Sequence, residues 1–175
     1  MIEKVLDYAQ KRNIPVTEHA VHVSIQEQKL RHFVGGQLHR AYTTASSIST
    51  PSSLEGSFAT PLGLHAIADK IGHEAPLGMV FKGRKPTGQF YWDAPEEDKQ
   101  TRLVTSRILR LRGLEEGLNA GPGVDTYDRY IYIHGTNREQ HLGTASTIGC
   151  LVLSNQDVID FFNDIPEGSL VLIES

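Results

Sequence analysis

The chain has 175 residues, a net charge of −4 and a single cysteine. This length suits one domain with a substantial core, and the mixed charges provide no basic stripe of the kind that binds nucleic acid. One cysteine excludes an intramolecular disulfide and a CxxC metal site.

The sequence contains no candidate membrane span, because no apolar stretch approaches the ~20 residues that one requires. Residues 1–11 are charged and amphipathic, and they lack the apolar segment of a secretory signal. The chain is therefore expected either to act in the cytoplasm or to use an export segment outside this numbering.

Apolar spacing predicts a short helix over 2–12, which Asn13-Ile14-Pro15 ends. Alternating apolar residues then predict strands, and Gly35-Gly36 is a hairpin signal, so the chain should open as an antiparallel meander. The predicted strands are 19–25, 29–34, 37–43, 62–71, 78–82, 103–111, 127–134, 149–153 and 169–173. The pattern is strongest over 127–134.

Polar and turn-forming residues predict loops between these strands. The predicted loops are the Ser/Thr-rich segment 44–57, the polar segment 85–100 and the Gly-rich segment 113–125. Ser154 or Asn155 should cap a helix that continues through Phe162. Many short strands with few helices predict one mainly β domain.

Cys150 follows Gly149 in a turn of small residues. A lone cysteine is more often an inert buried residue than a nucleophile. Here, however, the glycine allows a tight turn, and the amides of Ile148, Gly149 and Cys150 could form an oxyanion hole.

His134 ends the strongest predicted strand, and strand ends commonly carry catalytic groups into clefts. A neutral imidazole within reach of Cys150 could take the thiol proton and leave a thiolate–imidazolium pair.

The joint pattern resembles the catalytic signature of the L,D-transpeptidase (YkuD-type) family, which reads His-Gly-Thr, a spacer, and Ser/Thr-x-Gly-Cys. The matching segments are His134-Gly135-Thr136, Leu142-Gly143 and Thr147-x-Gly149-Cys150. Twelve residues, 135–146, separate His134 from Thr147. Two flanking segments are also similar to the family, namely Ala59-Thr60-Pro61-Leu62-Gly63 and Asn155-x-Asp157-Val158. The likeness extends over roughly 21–173.

The resemblance implies a mainly β, sandwich-like catalytic domain with a few short helices and the cysteine in a cleft under mobile loops. Residues 1–20 would form a helix and lead-in, and 21–175 the catalytic part of a single domain. The implied reaction is acyl transfer on peptidoglycan stem peptides: the thiolate attacks the carbonyl after the diamino acid, releases the terminal D-Ala and passes the acyl group to another stem's amine.

The resemblance also assigns residues by position. The catalytic set is Cys150 as nucleophile, His134 as base, Thr147 and Gly149. The substrate-binding set is Tyr132, Gly135, Thr136, Ile148 and Arg107. No metal or cofactor is expected; the family implies a cell-envelope or periplasmic location, and carbapenem-type β-lactams are candidate inhibitors.

Two residues depart from the family's usual Ser-His-Gly-Cys-Ile-Arg-Met. Ile148 stands where histidine is common, and Val152 stands where arginine is typical. An arginine there would share the strand face of Cys150 and could bind a carboxylate; Arg107 or Arg138 could substitute for it. The valine should also make the surroundings of the thiol drier, which raises a thiol pKa.

These departures leave alternatives open. An L,D-carboxypeptidase would hydrolyse the same acyl-enzyme, since water replaces the acceptor amine. A domain of the same fold could instead bind muropeptide or a partner with little turnover, because Ile148 and Val152 replace polar residues. Tyr127 and Tyr130 could line the cleft.

The remaining histidines carry a weaker signal. The pairs His19/His22 and His32/His39 could suggest a metal, but no cysteine or carboxylate cluster accompanies them at a recognised spacing. We therefore predict that these histidines face solvent.

Overall fold

The computed structural model describes residues 1–175, and strands dominate it, which confirms the mainly β prediction. The helices are α1 (Ile2–Gln10), α2 (Glu96–Lys99) and α3 (Asn155–Asp164). The strands are β1 (His19–Ser24), β2 (Lys29–Val34), β3 (Gln37–Thr43), β4 (Gly63–Ile71), β5 (Met79–Lys82), β6 (Lys85–Phe90), β7 (Val104–Gly113), β8 (Tyr132–Thr136), β9 (Leu151–Leu153) and β10 (Leu170–Glu174). None of the helices combines the length and apolar character needed to cross a membrane.

The ten strands form one continuous sheet in the order β3-β2-β1-β10-β4-β7-β5-β6, and β8 joins β7 to β9 off this path. All pairs are antiparallel except β1 with β10 and β8 with β9. The opening β1–β2–β3 meander is as predicted. The two layers of the expected sandwich come from this single sheet, which curls around a shared core.

The two longer helices cover opposite faces of the central strands. In β10, Val171 and Ile173 belong to the main core, which includes Phe161 of α3. Leu170 and Leu172 instead pack in a second cluster with α1. Because alternate side chains of a strand point to opposite faces, the central part of the sheet is apolar on both sides.

The predicted strand over 127–134 was wrong in its first half, because β8 begins only at Tyr132. Residues 127–130 form a turn in which Asp125 Oδ1 accepts the Asp128 amide at 3.0 Å. Tyr130 adopts a φ of +56°, a left-handed conformation that ends the turn. Local side-chain hydrogen bonds of this kind compete with strand pairing.

The segment 85–100, predicted as a loop, contains strand β6 and helix α2. The turn between β5 and β6 is Gly83-Arg84, with φ values of +55° and +65° at its two residues. Positive φ at both positions fits the tight turns that suit β-hairpins. β6 lies at the sheet edge and is largely exposed, so it lacks the apolar alternation by which strands are recognised.

The prediction of solvent-facing histidines was wrong for His22 and His32, which are 1% and 0% exposed. His32 lies edge-on to Phe161 with ring centroids 5.7 Å apart, and its Nε2 is 3.0 Å from His19 Nδ1. His22 Nε2 lies 2.9 Å from Glu174 Oε1. No group of three histidine, cysteine or acidic side chains is arranged to hold a metal ion.

Buried neutral histidines should make stability depend on pH. Burial lowers the pKa of His32 and His65 from 6.5 to about 4, so between these values the unfolded chain binds protons that the folded chain does not. The free energy of unfolding should therefore be greatest above pH 6.5 and fall as the pH decreases towards 4, by on the order of 3 kcal/mol per histidine. Urea unfolding at pH 7, 5.5 and 4.5 measures this decline.

The variant His32→Phe should make the decline shallower, because the ring is kept and the titrating group is lost. His73→Gln, at an exposed position, is the matched control and should follow the wild type. An unchanged slope in His32→Phe would contradict the assignment.

Candidate active site

The register between β8 and β9 places the predicted catalytic residues on one face. The strands are parallel, with His134 opposite Val152 and Ile133 opposite Leu151. Parallel neighbours require a crossover of a dozen or more residues, which the segment 137–150 supplies. Because side chains two positions apart share a face, Cys150 lies on the same side as Val152 and His134.

A cavity of about 170 Å³ lies over this face. It brings together most of the predicted site: its lining includes Cys150, His134, Thr147, Thr136 and Ile148. Val152 also lines it and is only 6% exposed. The nucleophile and base candidates therefore share one small, partly apolar chamber.

The Cys150 thiol is half-buried and in contact with the backbone of the segment leading into β8. The Tyr132 amide donates to Sγ at 3.3 Å, and Sγ lies 3.6 Å from the Tyr130 carbonyl oxygen. Burial raises the pKa of the thiol to about 11, against a smaller lowering by the Tyr132 amide and the Arg129 cation. The thiol is thus protonated at neutral pH.

The His134 imidazole is held in a defined orientation. Its Nδ1 lies 2.7 Å from the Gly135 carbonyl oxygen, and since a carbonyl only accepts, Nδ1 carries the proton and Nε2 keeps its lone pair. Burial lowers the pKa of His134 to about 4. No hydrogen bond joins the ring to Sγ, so the resting site holds a neutral thiol and a neutral base, a separation that substrate binding commonly closes.

The turn before Cys150 is fixed by two threonine hydroxyls. Thr147 Oγ1 donates to the Cys150 carbonyl at 2.6 Å and accepts the Gly149 amide at 3.3 Å. Thr60 Oγ1 donates to the Gly149 carbonyl at 2.9 Å. Gly149 has a φ of +134°, and a Cβ there would lie 3.1 Å from Ile131. The amides of Ile148 and Cys150 have no acceptor within the protein, so two of the three predicted oxyanion donors are free.

Three predicted substrate-binding residues do not line the cavity. The Tyr132 hydroxyl accepts from Arg84 Nη1 at 3.3 Å. A Cβ on Gly135 would lie 2.5 Å from the Thr105 carbonyl oxygen, so glycine permits the close approach of β7. Arg107 is buried and donates to the Ala75 carbonyl at 2.6 Å. Of the two arginines considered as substitutes for the family's arginine, only Arg138 lines the cavity.

Two residues that support the site, Asn155 and Arg129, were not among the predicted site residues. Asn155 is 2% exposed; its Nδ2 donates to the Thr136 carbonyl at 2.9 Å, and its Oδ1 accepts the Thr105 hydroxyl at 2.6 Å. Asn155 belongs to a segment that is similar to the family, but its hydrogen-bond partners Thr105 and Thr136 are distant from it in sequence. Arg129 had no signal, because it lies in the segment predicted as strand.

Arg129 links the loop around Ala59 to the cysteine. Its guanidinium donates to the Ala59 carbonyl at 2.8 Å, to Ser57 Oγ at 3.2 Å and to the Ser52 carbonyl at 3.3 Å. All three acceptors are neutral, so the positive charge is not cancelled by an ion pair, and it lowers the pKa of Cys150.

Fold and cavity together define a mainly β domain built around a single cysteine–histidine site. The model of the L,D-transpeptidase catalytic domain (YkuD) matches residues 18–173, and the chain belongs to that family.

Individual relatives agree with this assignment. Putative L,D-transpeptidase YqjB of Bacillus subtilis (strain 168) is 47% identical over 47 residues, which are 26% of this chain and 27% of that protein. An L,D-transpeptidase structure from Mycobacterium smegmatis has a TM-score of 0.57 at 15% identity, covering 90% of this chain and 59% of that chain.

L,D-transpeptidase 3 from Mycobacterium tuberculosis, in complex with a faropenem-derived adduct, has a TM-score of 0.56 at 14% identity, covering 90% of this chain and 60% of its own. The chain therefore spans less than two thirds of each of these three proteins. At such low identity, the likeness to the solved structures establishes the shared fold.

The pH dependence of thiol alkylation should report the neutral resting pair. Because the pKa of Cys150 is raised to about 11, the rate with iodoacetamide should rise about tenfold per pH unit from pH 6 to 10. Intact mass against time gives the rate, and the urea-unfolded chain supplies the reference for an ordinary thiol. A plateau below pH 7 would instead reveal a preformed thiolate–imidazolium pair.

Changes at Arg129 should separate its charge from its hydrogen bonds. Arg129→Gln removes both, so the Cys150 pKa should rise further and alkylation at pH 8 should slow by about threefold or more. Arg129→Lys keeps the charge and should recover most of the rate. Arg40→Gln, at an exposed position paired with Asp160, is the control. Equal slowing in the Lys and Gln variants would assign the effect to loop anchoring.

Proposed function

We propose that this protein is a cysteine acyl-transferase acting on peptidoglycan stem peptides, with Cys150 as nucleophile and His134 as general base. The observation that carries the proposal is the parallel β8–β9 register, which places the thiol and an imidazole with a free Nε2 around one cavity. We infer the substrate class, peptidoglycan stem peptides, from membership of the family.

The reaction follows from the protonation states in the resting site. His134 Nε2 accepts the thiol proton as Sγ attacks the carbonyl after the diamino acid. The tetrahedral oxyanion accepts hydrogen bonds from the free amides of Ile148 and Cys150. Collapse of this intermediate expels D-Ala, whose amine takes the proton from the imidazolium. The amine of a second stem, or water in a carboxypeptidase, then attacks the thioester carbonyl; the C–S bond breaks, and Sγ recovers the proton that His134 takes from the attacking group.

The low pKa of His134 and the high pKa of Cys150 affect the first step. Proton transfer from thiol to imidazole is uphill in the resting site, so the proposal has the thiol lose its proton as Sγ attacks and the oxyanion is stabilised. The Tyr132 amide, which donates to Sγ, favours the thiolate once it forms.

A second candidate is a muropeptide-binding domain with little turnover. The absence of a His134–Cys150 hydrogen bond and the apolar residues Ile148 and Val152 beside the thiol favour it. A binding domain and an acyl-transferase differ in whether a covalent intermediate forms.

Covalent labelling distinguishes the two. Incubation with a carbapenem, or with a tetrapeptide stem, should give an intact-mass increase that is absent in Cys150→Ala. His134→Gln should slow adduct formation by about 100-fold, as expected for loss of a general base, whereas His39→Gln, at an exposed position, should not. A folded wild type that forms no adduct between pH 6 and 10 would favour the binding domain.

Analysis of the products with and without an acceptor amine then separates transfer from hydrolysis. The proposal also includes sensitivity to carbapenem-type β-lactams and action at the cell envelope, which family membership and the faropenem-derived adduct of the Mycobacterium tuberculosis relative support.

A further inference from the structure

The charged side chains around the cavity all have one sign. Arg102 and Arg138 line it, and no aspartate or glutamate does. This is notable in a chain with 21 acidic and 17 basic residues. Neither arginine belongs to an ion pair, although nine pairs form elsewhere in the protein.

Both guanidinium groups are tethered and still have free donors. Arg102 Nε donates to the Ser146 carbonyl at 2.8 Å, which leaves both of its terminal nitrogens without an acceptor. Arg138 Nη2 lies 3.3 Å from His141 Nε2, which leaves its Nε and Nη1 without one. A planar guanidinium with parallel free N–H groups matches a carboxylate in a bidentate pair.

Five of the other nine residues that line the cavity are apolar. Leu103 and Val152 are 8% and 6% exposed, and Val104 lines the same wall. Apolar neighbours strengthen an ionic contact relative to bulk water, and they do so more at half-buried Arg138 than at exposed Arg102. The cavity therefore suits a group with an apolar body and an anionic end, and it provides no acceptor carboxylate for a cationic end.

We infer that Arg102 and Arg138 select acyl donors that carry a free carboxylate close to the scissile carbonyl. This inference rests on the proposed function, and it assigns the arginines that would bind a carboxylate in a chain where Val152 stands at the position of the family's arginine. A stem peptide offers more than one such carboxylate: those of the terminal D-Ala, of the diamino-acid side chain and of the glutamyl residue.

The test uses a tetrapeptide stem and analogues in which one carboxylate at a time is converted to its amide. The rate of acyl-enzyme formation on the wild type, from intact mass, should fall by about tenfold or more for one analogue, as expected for loss of a charge-assisted pair. That analogue identifies the source. Wild-type rates within twofold for every analogue would overturn the inference.

Arginine variants link this preference to the residues. Arg102→Gln and Arg138→Gln together should slow the parent peptide to the rate of the disfavoured analogue and remove the discrimination between them. Arg112→Gln is the matched control, since Arg112 is exposed, belongs to no ion pair and does not line the cavity. A double variant that retains the wild-type preference would exclude these arginines.

Binding to Cys150→Ala separates this inference from the proposed function. Calorimetry of that variant should show tighter binding of the parent tetrapeptide than of the disfavoured analogue, even if the wild type forms no adduct. A preference in binding without acylation would support the arginine pair and contradict the acyl-transferase. Acylation without any preference among the peptides would support the acyl-transferase and contradict the role of the arginine pair.

Discussion

The parallel pairing of β8 with β9 is the interaction on which the site depends. A slip of one residue would turn His134 and Cys150 to opposite faces of the sheet. The register is secured from both sides: β7 pairs with β8, with Ile108 opposite His134, and Ala45 forms two backbone hydrogen bonds with Val152 at 3.1 and 3.2 Å. β9 is only three residues long, so its position is determined largely by these neighbours.

Buried polar contacts connect this pairing to the loops above it. Asn155 joins the start of α3 to β7 and β8, and the Ser46 carbonyl accepts the amides of Ser146 and Thr147, each at 2.9 Å. The crossover before Cys150 is therefore bonded to the segment after β3 as well as to the strands. Buried groups with satisfied hydrogen bonds favour one arrangement over its alternatives, and here that arrangement is the turn that carries Cys150.

Much of the fold was accessible from the sequence because most strands have one apolar face. The meander, β4, β7, β10 and both longer helices follow from residue periodicity, and the family signature identified the spacing of His134 and Cys150, whereas the parallel pairing of β8 with β9 was not predicted. The edge strand β6 escaped prediction because it buries little. The turn before Tyr132 was not predicted because Tyr127 and Tyr130 extend the aromatic pattern of β8 towards the N-terminus, while Asp125 determines the conformation of the turn. Arg102 and Arg129 act through contacts 44 and 70 residues away in sequence, which no local pattern reveals.

Val152, beside His134 on the neighbouring strand, adds an apolar side chain to a site in which the cysteine and the histidine are both neutral. With a pKa of about 11, about one Cys150 thiol in ten thousand is ionised at pH 7. Because oxidants and electrophiles react with the thiolate rather than the thiol, the raised pKa lowers the reactivity of the resting cysteine towards them. In the proposed mechanism the thiol ionises only when a bound acyl group and its oxyanion favour it, so the burial that lowers its resting reactivity also slows the first proton transfer.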